Sequence, residues 1–261
     1  MFNDELGDRM KFYETFPIAQ QIKPPFLIRL DGRSFSTWTR GLTKPFDKTL
    51  ISVFHECTEA LLEETNADFA YHQSDEITLG FLKPVDPNTQ MYFNGKTQKL
   101  VSVTSSFLTA QFNMLIEEEF PNKPLAYFDS RVFEVPNETE AVNALIWRQQ
   151  DAKRNSIQLL GRSHFSHKQM YKKSSMEIVR MLKEVGINWE EEPNYFKYGQ
   201  LFKRVKTQTS FTTEEISKLP PKHEARSNPS LTIERGVVQK YDNSFYKDVD
   251  NFFELVTRRY E

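Results

Sequence analysis

The sequence predicts an α+β or α/β domain in which helices cover one sheet. Short apolar runs of strand length alternate with longer segments in which apolar residues recur every three or four positions. Their order is strand, helix, strand pair, helix, strand, helix, which is typical of a single sheet backed by helices. An apolar share of 38% and 22 Phe among 261 residues are enough to form a sizeable core.

The first elements surround two short acidic motifs. We predict an amphipathic helix over 1–20, a buried strand over 26–30, a helix over 46–65 and two short strands within 68–82. The first strand, FLIRL, ends at Asp31-Gly32, and the strand pair surrounds Gln73-Ser74-Asp75-Glu76. A loop with Pro84, Pro87 and Asn88 follows the pair.

The later elements are mostly helices. We predict a helix over 97–120, a strand over 126–135, and further helices over 137–160, 165–185 and near 243–260. Asn137 is a candidate N-cap, with Glu140 at the spacing of a capping box. The other residues after 186 show mixed signals, with a polar loop at 205–230. We therefore expect a main domain over 1–160 and a C-terminal extension of helices and loops over 161–261 that packs on it.

Charge and cysteine content restrict the partners and the compartment. The 36 acidic and 34 basic residues give a net charge of -2, so binding of nucleic acid would need a local basic patch. The single cysteine, Cys57, allows no internal disulfide, fits a reducing compartment and is best interpreted as a packed core thiol. The charged segment MFNDELGDRMKFYE is unlike a signal peptide, and no apolar run has the length of a membrane span. We expect a soluble, cytoplasmic protein that does not bind membranes.

Asp31 and the pair Asp75-Glu76 are the main candidates for chemistry. Each follows an apolar strand, and each motif taken alone predicts only a turn, because Asp is an ordinary turn residue. Phosphoryl transfer commonly uses two Mg²⁺ ions about 4 Å apart, each held by one or two carboxylates with phosphate and water oxygens. Aspartates at the ends of neighbouring strands would supply that set, and Gly32 would let the backbone carbonyl approach the metal. The order of the elements favours such neighbouring strands.

Basic residues around these motifs suggest phosphate binding. Arg29 and Arg33 flank the first motif, Lys44 and Asp47 follow in LTKPFDK, and Lys96 and Lys99 lie in NGKTQKLVS. Lys44 precedes a proline and the start of a helix, where the helix dipole adds partial positive charge. A solvated surface position is the alternative for any single lysine.

Several motifs in order resemble a known family. They are LIRLDGRSF, TKPFD, AYHQSDEITLGF, KLVSVTSSFLTAQF, FDSRVFEVP and ALIWRQQDAKRNSI. Together they resemble tRNA-His guanylyltransferases and the guanylyltransferase-like 3′-5′ RNA polymerases. The resemblance covers residues 1–160, and KLPPKHEAR near the C-terminus is also similar to bacterial and phage members.

The resemblance implies a fold and an activity. The fold would be α+β, like the palm of polymerases and nucleotidyl cyclases, with an antiparallel sheet backed by helices and a mixed C-terminal extension. The activity would be metal-dependent addition of nucleoside triphosphates to the 5′ end of tRNA, in the 3′-5′ direction. ATP or GTP would activate the 5′ phosphate, and the assembly would be a homotetramer.

The same resemblance implies the site residues. Two Mg²⁺ ions would bind Asp31, the Gly32 carbonyl and Asp75, with Glu76 beside them as the third catalytic carboxylate. The residues implied for the incoming nucleotide are Arg33, Ser34, Phe35, Ser36, Lys44, Asp47 and Ser74. Arg29, Lys96 and Lys99 match positions around a second triphosphate, that of the activating nucleotide.

One motif departs from the tRNA-His pattern. Members that add G to tRNA-His have His-Ile-Asn-Asn where this chain has Lys153-Arg154-Asn155-Ser156. The substitution is similar to the guanylyltransferase-like proteins, which prefer template-dependent repair of 5′-truncated tRNAs. The segment is predicted to be helical, and Arg148, Lys153, Arg154 and Asn155 are candidate RNA contacts, with a solvated helix face as the alternative.

Three other functions are alternatives to repair. The first is G addition to tRNA-His itself. A nucleotidyl cyclase would use the same two aspartates on one nucleotide without RNA, and a non-catalytic RNA-binding module would not need Asp31. His164 and His167 have the spacing of a helical metal pair, but without a third ligand nearby we interpret them as polar surface residues.

Overall fold

A six-stranded sheet is the centre of the fold. The computed structural model describes residues 5–15, 21–83, 90–228, 230–241 and 244–258. The strands are β1 (Phe26–Gly32), β2 (Phe69–Gln73), β3 (Glu76–Phe81), β4 (Phe128–Glu134), β5 (Gln200–Ser210) and β6 (Thr232–Tyr241). Their order is β4-β1-β3-β2-β5-β6, and every neighbouring pair is antiparallel. The predicted α+β class is confirmed, with the fully antiparallel sheet expected of a palm.

Helices cover both faces of the sheet. They are α1 (Glu5–Thr15), α2 (Phe35–Trp38), α3 (Lys48–Thr65), α4 (Thr97–Glu119), α5 (Glu138–His164), α6 (His167–Met170), α7 (Ser175–Glu184), α8 (Asn194–Tyr198), α9 (Thr213–Lys218) and α10 (Phe252–Thr257). One core, which includes Phe54 and Phe112, joins α3 and α4 to the first face. A second core, which includes Leu145 and Phe252, joins α1, α5 and α10 to the other face. No helix among the described residues has the length and apolarity needed to cross a bilayer.

The alternation of side chains along β1 determines what faces the two helical layers. Phe26, Ile28 and Leu30 belong to the core under α3 and α4, whereas Leu27 belongs to the core under α1 and α5. Since side chains alternate along a strand, Arg29 and Asp31 share the face of Leu27. The polar end of β1 therefore faces α1 and α5.

Most predicted helices and strands of the first 160 residues are present. Asn137 caps α5 by accepting a hydrogen bond from the Glu140 backbone N–H at 3.0 Å. The Glu140 carboxylate, however, binds Arg9 of α1 at 2.7 Å, so the expected reciprocal half of the capping box is replaced by a contact between helices. The predicted helix over 1–20 is described from Glu5 to Thr15, and its residues 16–20, like the loop with Pro84, Pro87 and Asn88, lie outside the described residues.

The second part of the chain differs from the prediction. Residues 205–210, predicted within a polar loop, extend β5, and residues after 160 contribute both β5 and β6 to the sheet. This end of β5 is flanked mainly by β6 and alternates between exposed and half-buried residues, so it lacks an apolar signal. The single helix predicted over 165–185 is two helices, because Ser166 and Ser174 each form a capping box and start a new one. The last helix is shorter than predicted, Phe252–Thr257.

A glycine in β3 makes a testable contribution to the core. A Cβ at Gly80 would lie 2.1 Å from the ring of Phe69, which is fully buried. We expect Gly80→Ala to lower the free energy of unfolding by about 1–3 kcal/mol through overpacking. The measurement is chemical denaturation against Gly236→Ala in β6, where the nearest atom is a guanidinium nitrogen of Arg204 at 3.1 Å. Equal losses in both variants would contradict the packing argument.

Candidate active site

Three neighbouring strands place carboxylates in one row. Asp31 of β1 is in register with Glu76 of β3 and with Asp129 of β4. Directly opposite residues of antiparallel strands have side chains on the same face. Asp75 adjoins this row from the β2–β3 turn, where its carbonyl accepts a hydrogen bond from the Gly32 N–H at 3.1 Å. The structure therefore brings the two predicted motifs together.

Asp129 is a member of the row that the sequence analysis missed. It is the second residue of β4, in the motif FDSR, and its side chain is 62% exposed. Its local signal was weaker than that of Asp31 and Asp75, because Asp129 lies inside a predicted strand and does not follow an apolar run. Only the register of β4 against β1 shows that this carboxylate is opposite Asp31.

Mutual repulsion and burial change the acidity of the two aspartates. Burial raises the pKa of Asp31, and the charges of Glu76 and Asp129 raise it further. Burial raises the pKa of Asp75 to about 6, with Asp31 as the next cause. A cation bound to these oxygens would offset the repulsion and the cost of burying the charges, and would lower both pKa values. The row is therefore a site of concentrated negative charge beside the Gly32 backbone.

The residues fit a sparsely coordinated magnesium site. Among the described residues, no group of three or more His, Cys, Asp or Glu side chains is arranged to enclose a metal. Mg²⁺ does not need such a cage, since it keeps waters and phosphate oxygens beside one or two carboxylates. A Cβ at Gly32 would lie 2.4 Å from the Phe35 ring and 3.1 Å from the Asp75 Cβ, so only glycine allows this close approach. Asp31, Asp75 and the Gly32 backbone are thus compatible with the predicted metal ligands.

Glu76 is held by arginines within the protein. Its carboxylate accepts a hydrogen bond from Arg148 Nε of α5 at 2.7 Å and lies 3.8 Å from Arg29 Nε. Arg29 is also paired with Glu14 of α1 at 2.5 Å, and burial raises the pKa of Glu14 while Arg29 lowers it. Glu76, Arg29 and Arg148 are almost fully shielded from solvent. Arg29 lies beneath α1 with its charge already paired, so its predicted contact with a triphosphate would require it to leave Glu14 and Glu76.

A cleft of about 470 Å³ opens beside Asp75. It is lined by seven of the residues predicted to bind the nucleotide or metal. Six of them form its polar wall, Ser34, Ser36, Lys44, Asp47, Ser74 and Asp75, and the seventh is Phe35. Its apolar wall includes Phe46, Leu50, Phe54, Tyr195 and Phe196. The volume and the combination of an aromatic wall with a polar end are typical of a small-molecule site.

Local backbone structure shapes the polar wall of the cleft. Ser34 and Ser74 both have left-handed backbone angles, with φ of 55° and 53°. Asp47 caps α3 by accepting hydrogen bonds from the N–H groups of Thr49 and Leu50, so its carboxylate organises the helix start. Lys44 is exposed at the rim with its ammonium available to a ligand. Arg33 is exposed next to the cleft but does not line it.

Comparisons with known proteins identify the family of the chain. The family model described as tRNAHis guanylyltransferase matches residues 7–136. A solved bacterial tRNA(His) guanylyltransferase-like protein in complex with ATP is 37% identical, with a TM-score of 0.67 over 76% of this chain and 88% of that one. The chain belongs to the tRNAHis guanylyltransferase family. A second bacterial tRNA(His) guanylyltransferase-like protein, in complex with GTP, is 29% identical, with a TM-score of 0.65 over 97% of this chain and 99% of that one. The tRNA(His) guanylyltransferase of Saccharomyces cerevisiae is 29% identical over 68% of this chain and 81% of its own length.

Lys96 and Lys99 lie away from the cleft of this family member. Both are exposed at the start of α4, where Lys96 precedes the first turn and Lys99 lies 5.5 Å from the centre of the Phe93 ring. Gln21 forms an isolated antiparallel bridge with Lys96 and fixes the backbone there. The two lysines therefore form a cationic position separate from Lys44.

The four residues predicted to contact RNA have different surroundings. Arg148 is turned inward to Glu76, so its predicted contact with the RNA backbone would require it to leave that pair. Lys153 lies 4.4 Å from the centre of the Phe245 ring and 5.7 Å from that of Trp189, and Asn155 lines the cleft. Arg154 is 54% exposed, although it also pairs with Asp151 at 2.9 Å. The helix α5 therefore does not present these residues as one basic face, because its 3.6-residue period turns them in different directions.

His72 supports the acidic turn and was also missed. Its Nε2 donates to the Ser74 carbonyl at 2.9 Å, and its ring stacks on Phe54 at 4.9 Å between centroids. Burial lowers the pKa of His72 to about 4, so the ring is neutral at ordinary pH. By contrast His164 and His167 are exposed, and Cys57 is a buried thiol whose pKa is raised to about 12 by burial. Nothing in the spacing of the sequence pointed to His72, because its role depends on a turn that folds back over it.

The ion pair of Glu76 gives a stability prediction. The Arg148 and Glu76 side chains are 12% and 10% exposed, so removing one partner leaves a buried charge. We expect Arg148→Ala to cost about 3–5 kcal/mol of unfolding free energy. The matched control is Arg154→Ala on the same helix, whose pair is largely exposed and should cost about 1 kcal/mol or less. Chemical denaturation measures both unfolding free energies. Similar losses in the two variants would contradict the argument that burial makes the Arg148–Glu76 pair important for stability.

The raised pKa of Asp75 gives a prediction for stability against pH. Its folded pKa of about 6 is above the value of roughly 3.9 for an unfolded Asp. The folded state therefore binds the proton more tightly, and stability is lost as the pH rises through this interval. In metal-free buffer, Asp75→Asn should melt at a higher temperature than wild type at about pH 8, and the difference should disappear at about pH 4. Asp8→Asn, at an exposed position of α1, is the control, and a pH-independent effect of Asp75→Asn would contradict the assignment.

Proposed function

We propose that the chain adds nucleotides to the 5′ end of a tRNA in the 3′-5′ direction, using nucleoside triphosphates and magnesium. The observation that carries this proposal is the juxtaposition of the carboxylate row with the nucleotide-sized cleft. Asp75 belongs to both, since it adjoins Asp31 and lines the cleft. The solved relatives in complex with ATP and GTP support the choice of nucleotide.

The metal would be held by Asp31, Asp75 and the Gly32 carbonyl. Bound magnesium supplies neutralisation of the phosphate charge during the transfer. The chain's own residues orient the reactants: Lys44 provides a point charge for the phosphates, and the hydroxyls of Ser34, Ser36 and Ser74 provide hydrogen bonds. The apolar wall with Phe46 and Tyr195 shields the base from water. Glu76, paired with Arg148, keeps the strand ends in register and takes no part in binding the nucleotide.

The reaction would proceed in two transfers. In the first, the 5′ phosphate of the RNA attacks the α-phosphorus of ATP or GTP, and pyrophosphate leaves. In the second, the 3′-hydroxyl of the incoming nucleoside triphosphate attacks the activated 5′ phosphorus, and the activating nucleoside monophosphate leaves. Both transfers need an in-line arrangement at one phosphorus, which positioned cations and hydrogen-bond donors supply.

Template-dependent repair is the substrate choice that we propose. It rests on Lys153-Arg154-Asn155-Ser156 in place of the tRNA-His motif. The structure adds that Lys153 packs between aromatic rings and Asn155 faces the cleft. Neither side chain is then free to identify tRNA-His by a direct contact. Base pairing with the opposite strand of the RNA would therefore select the nucleotide. We also propose a homotetramer, on the resemblance, and a cytoplasmic location, with which the single buried thiol of Cys57 is consistent.

The first test uses several different tRNAs that lack their first 5′ nucleotide. We expect the wild type to add the nucleotide that pairs with the opposing base, with kcat/KM falling as salt rises because the grip on the RNA is electrostatic. Asp31→Asn should reduce addition by about two orders of magnitude or more, while Asp8→Asn, at an exposed position of α1, should not change it. A cyclic nucleotide formed without RNA would instead indicate a cyclase. G added to full-length tRNA-His whatever base lies opposite would overturn repair but not the transfer chemistry.

A second test separates Lys44 from Lys96. Lys44 is at the cleft, whereas Lys96 and Lys99 are at the start of α4 outside it. An RNA that already has a 5′ triphosphate needs no activation. On that RNA Lys96→Ala should regain most of the activity that it loses on a 5′-monophosphate RNA, and Lys44→Ala should remain impaired on both. The measurement is kcat/KM for each RNA, and an equal response of the two variants would show that they serve the same step.

A further inference from the structure

A tyrosine continues the sheet two residues beyond Asp129 of the carboxylate row. The backbone N–H of Arg33 donates to the carbonyl of Tyr127 at 2.8 Å, which extends the pairing of Gly32 with Phe128. Phe128 is buried in the core under α3 and α4. Because side chains alternate, Tyr127 lies on the opposite face, the face of Asp129 and Asp31. Its Cα is about 7 Å along β4 from that of Asp129.

This tyrosine is exposed in an unusual place. Tyr127 is 55% exposed and Leu125 is 65% exposed, and Arg33 beside them is also exposed. Single exposed apolar residues are common and need no explanation. Here an aromatic ring and an apolar side chain lie next to a strongly charged site whose substrates are phosphates. An aromatic plane beside cations is the arrangement with which proteins stack an unpaired or terminal base.

The position relative to the cleft identifies which base would stack. The cleft is on the side of the β2–β3 turn and α3, and its volume suits one nucleotide. Tyr127 is on the side of β4, which is the edge of the sheet, so a larger ligand can approach it. A transfer enzyme must hold its two reactants on opposite sides of the phosphorus that reacts. Asp31, between β3 and β4, lies between the two surfaces.

We propose that Tyr127 is a stacking platform for the 5′-terminal base of the RNA substrate, with Leu125 extending its apolar surface. This inference rests on the function proposed above and adds a binding site for the second reactant. Tyr127 and Asp129 are two residues apart on one strand. A base stacked on the Tyr127 ring can therefore place its 5′ phosphate at the carboxylate row. The platform replaces the inward-facing Arg148 as the structural basis for holding the RNA end.

The test follows a hairpin RNA with 2-aminopurine as its 5′-terminal nucleotide. Binding to the wild type without nucleoside triphosphate should quench the fluorescence, because the probe stacks on the ring. Tyr127→Phe should quench equally, and Tyr127→Ala should not. In steady-state assays Tyr127→Ala should raise KM for the RNA about 5- to 100-fold, in line with the loss of one base–aromatic stack, and leave KM for the nucleoside triphosphate unchanged. Tyr171→Ala is the control, because Tyr171 is 62% exposed and does not line the cleft.

The outcomes separate this inference from the proposed function. If the wild type extends the RNA but Tyr127→Ala matches it in quenching and in KM, the platform is wrong and the function stands. If the wild type quenches the probe but adds no nucleotide, the function is wrong and the platform stands. A change of oligomeric state in Tyr127→Ala, seen by light scattering, would show instead that the patch is a contact between subunits and would overturn the proposal.

Discussion

The arrangement of the site depends on how the charge of Glu76 is balanced. Glu76 lies in the centre of the sheet, with Asp31 opposite it, and two arginines approach it from α5 and from β1. Arg29 is in turn held by Glu14 of α1. The network therefore joins α1, α5, β1 and β3 through one carboxylate. Because the pairs are shielded from water, the positions of their partners are restricted more strongly than by surface ion pairs.

This balance leaves Asp31 and Asp75 only partly compensated. Arg131 and Arg29 lower the pKa of Asp31, but burial and the charges of Glu76 and Asp129 raise it more, and burial with the charge of Asp31 raises the pKa of Asp75. The site thus combines one carboxylate that arginines neutralise, Glu76, with neighbouring aspartates that keep excess negative charge. A cation is the ligand that such an end attracts most strongly, and phosphates follow the cation. The same set of charged residues therefore joins the helices to the sheet and creates the negative charge of the site.

The position of the row between two surfaces has a consequence for a polymer substrate. The cleft with Phe46 and Tyr195 encloses a volume of about 470 Å³, which fits a mononucleotide, while the surface with Tyr127 is open at the edge strand β4. An enclosed site favours a small reactant by excluding water, and an open edge accepts the end of a helix. The long β5–β6 strand pair forms the opposite edge of the sheet, away from β4.

The sequence by itself determined most of the helices and strands of the first 160 residues and the two acidic motifs. Apolar periodicity, turn residues and local motifs are encoded by neighbours along the chain, and the motifs that line the cleft are short and local. Only the tertiary structure decided the rest. The register of the strands places Asp129 and Tyr127, and the β2–β3 turn places His72. Packing of the helices on the sheet buries Arg29 and Arg148 in ion pairs. The physical reason is that a charged or aromatic side chain has the same local signal on a surface as in a buried pair, and only packing between distant segments separates the two.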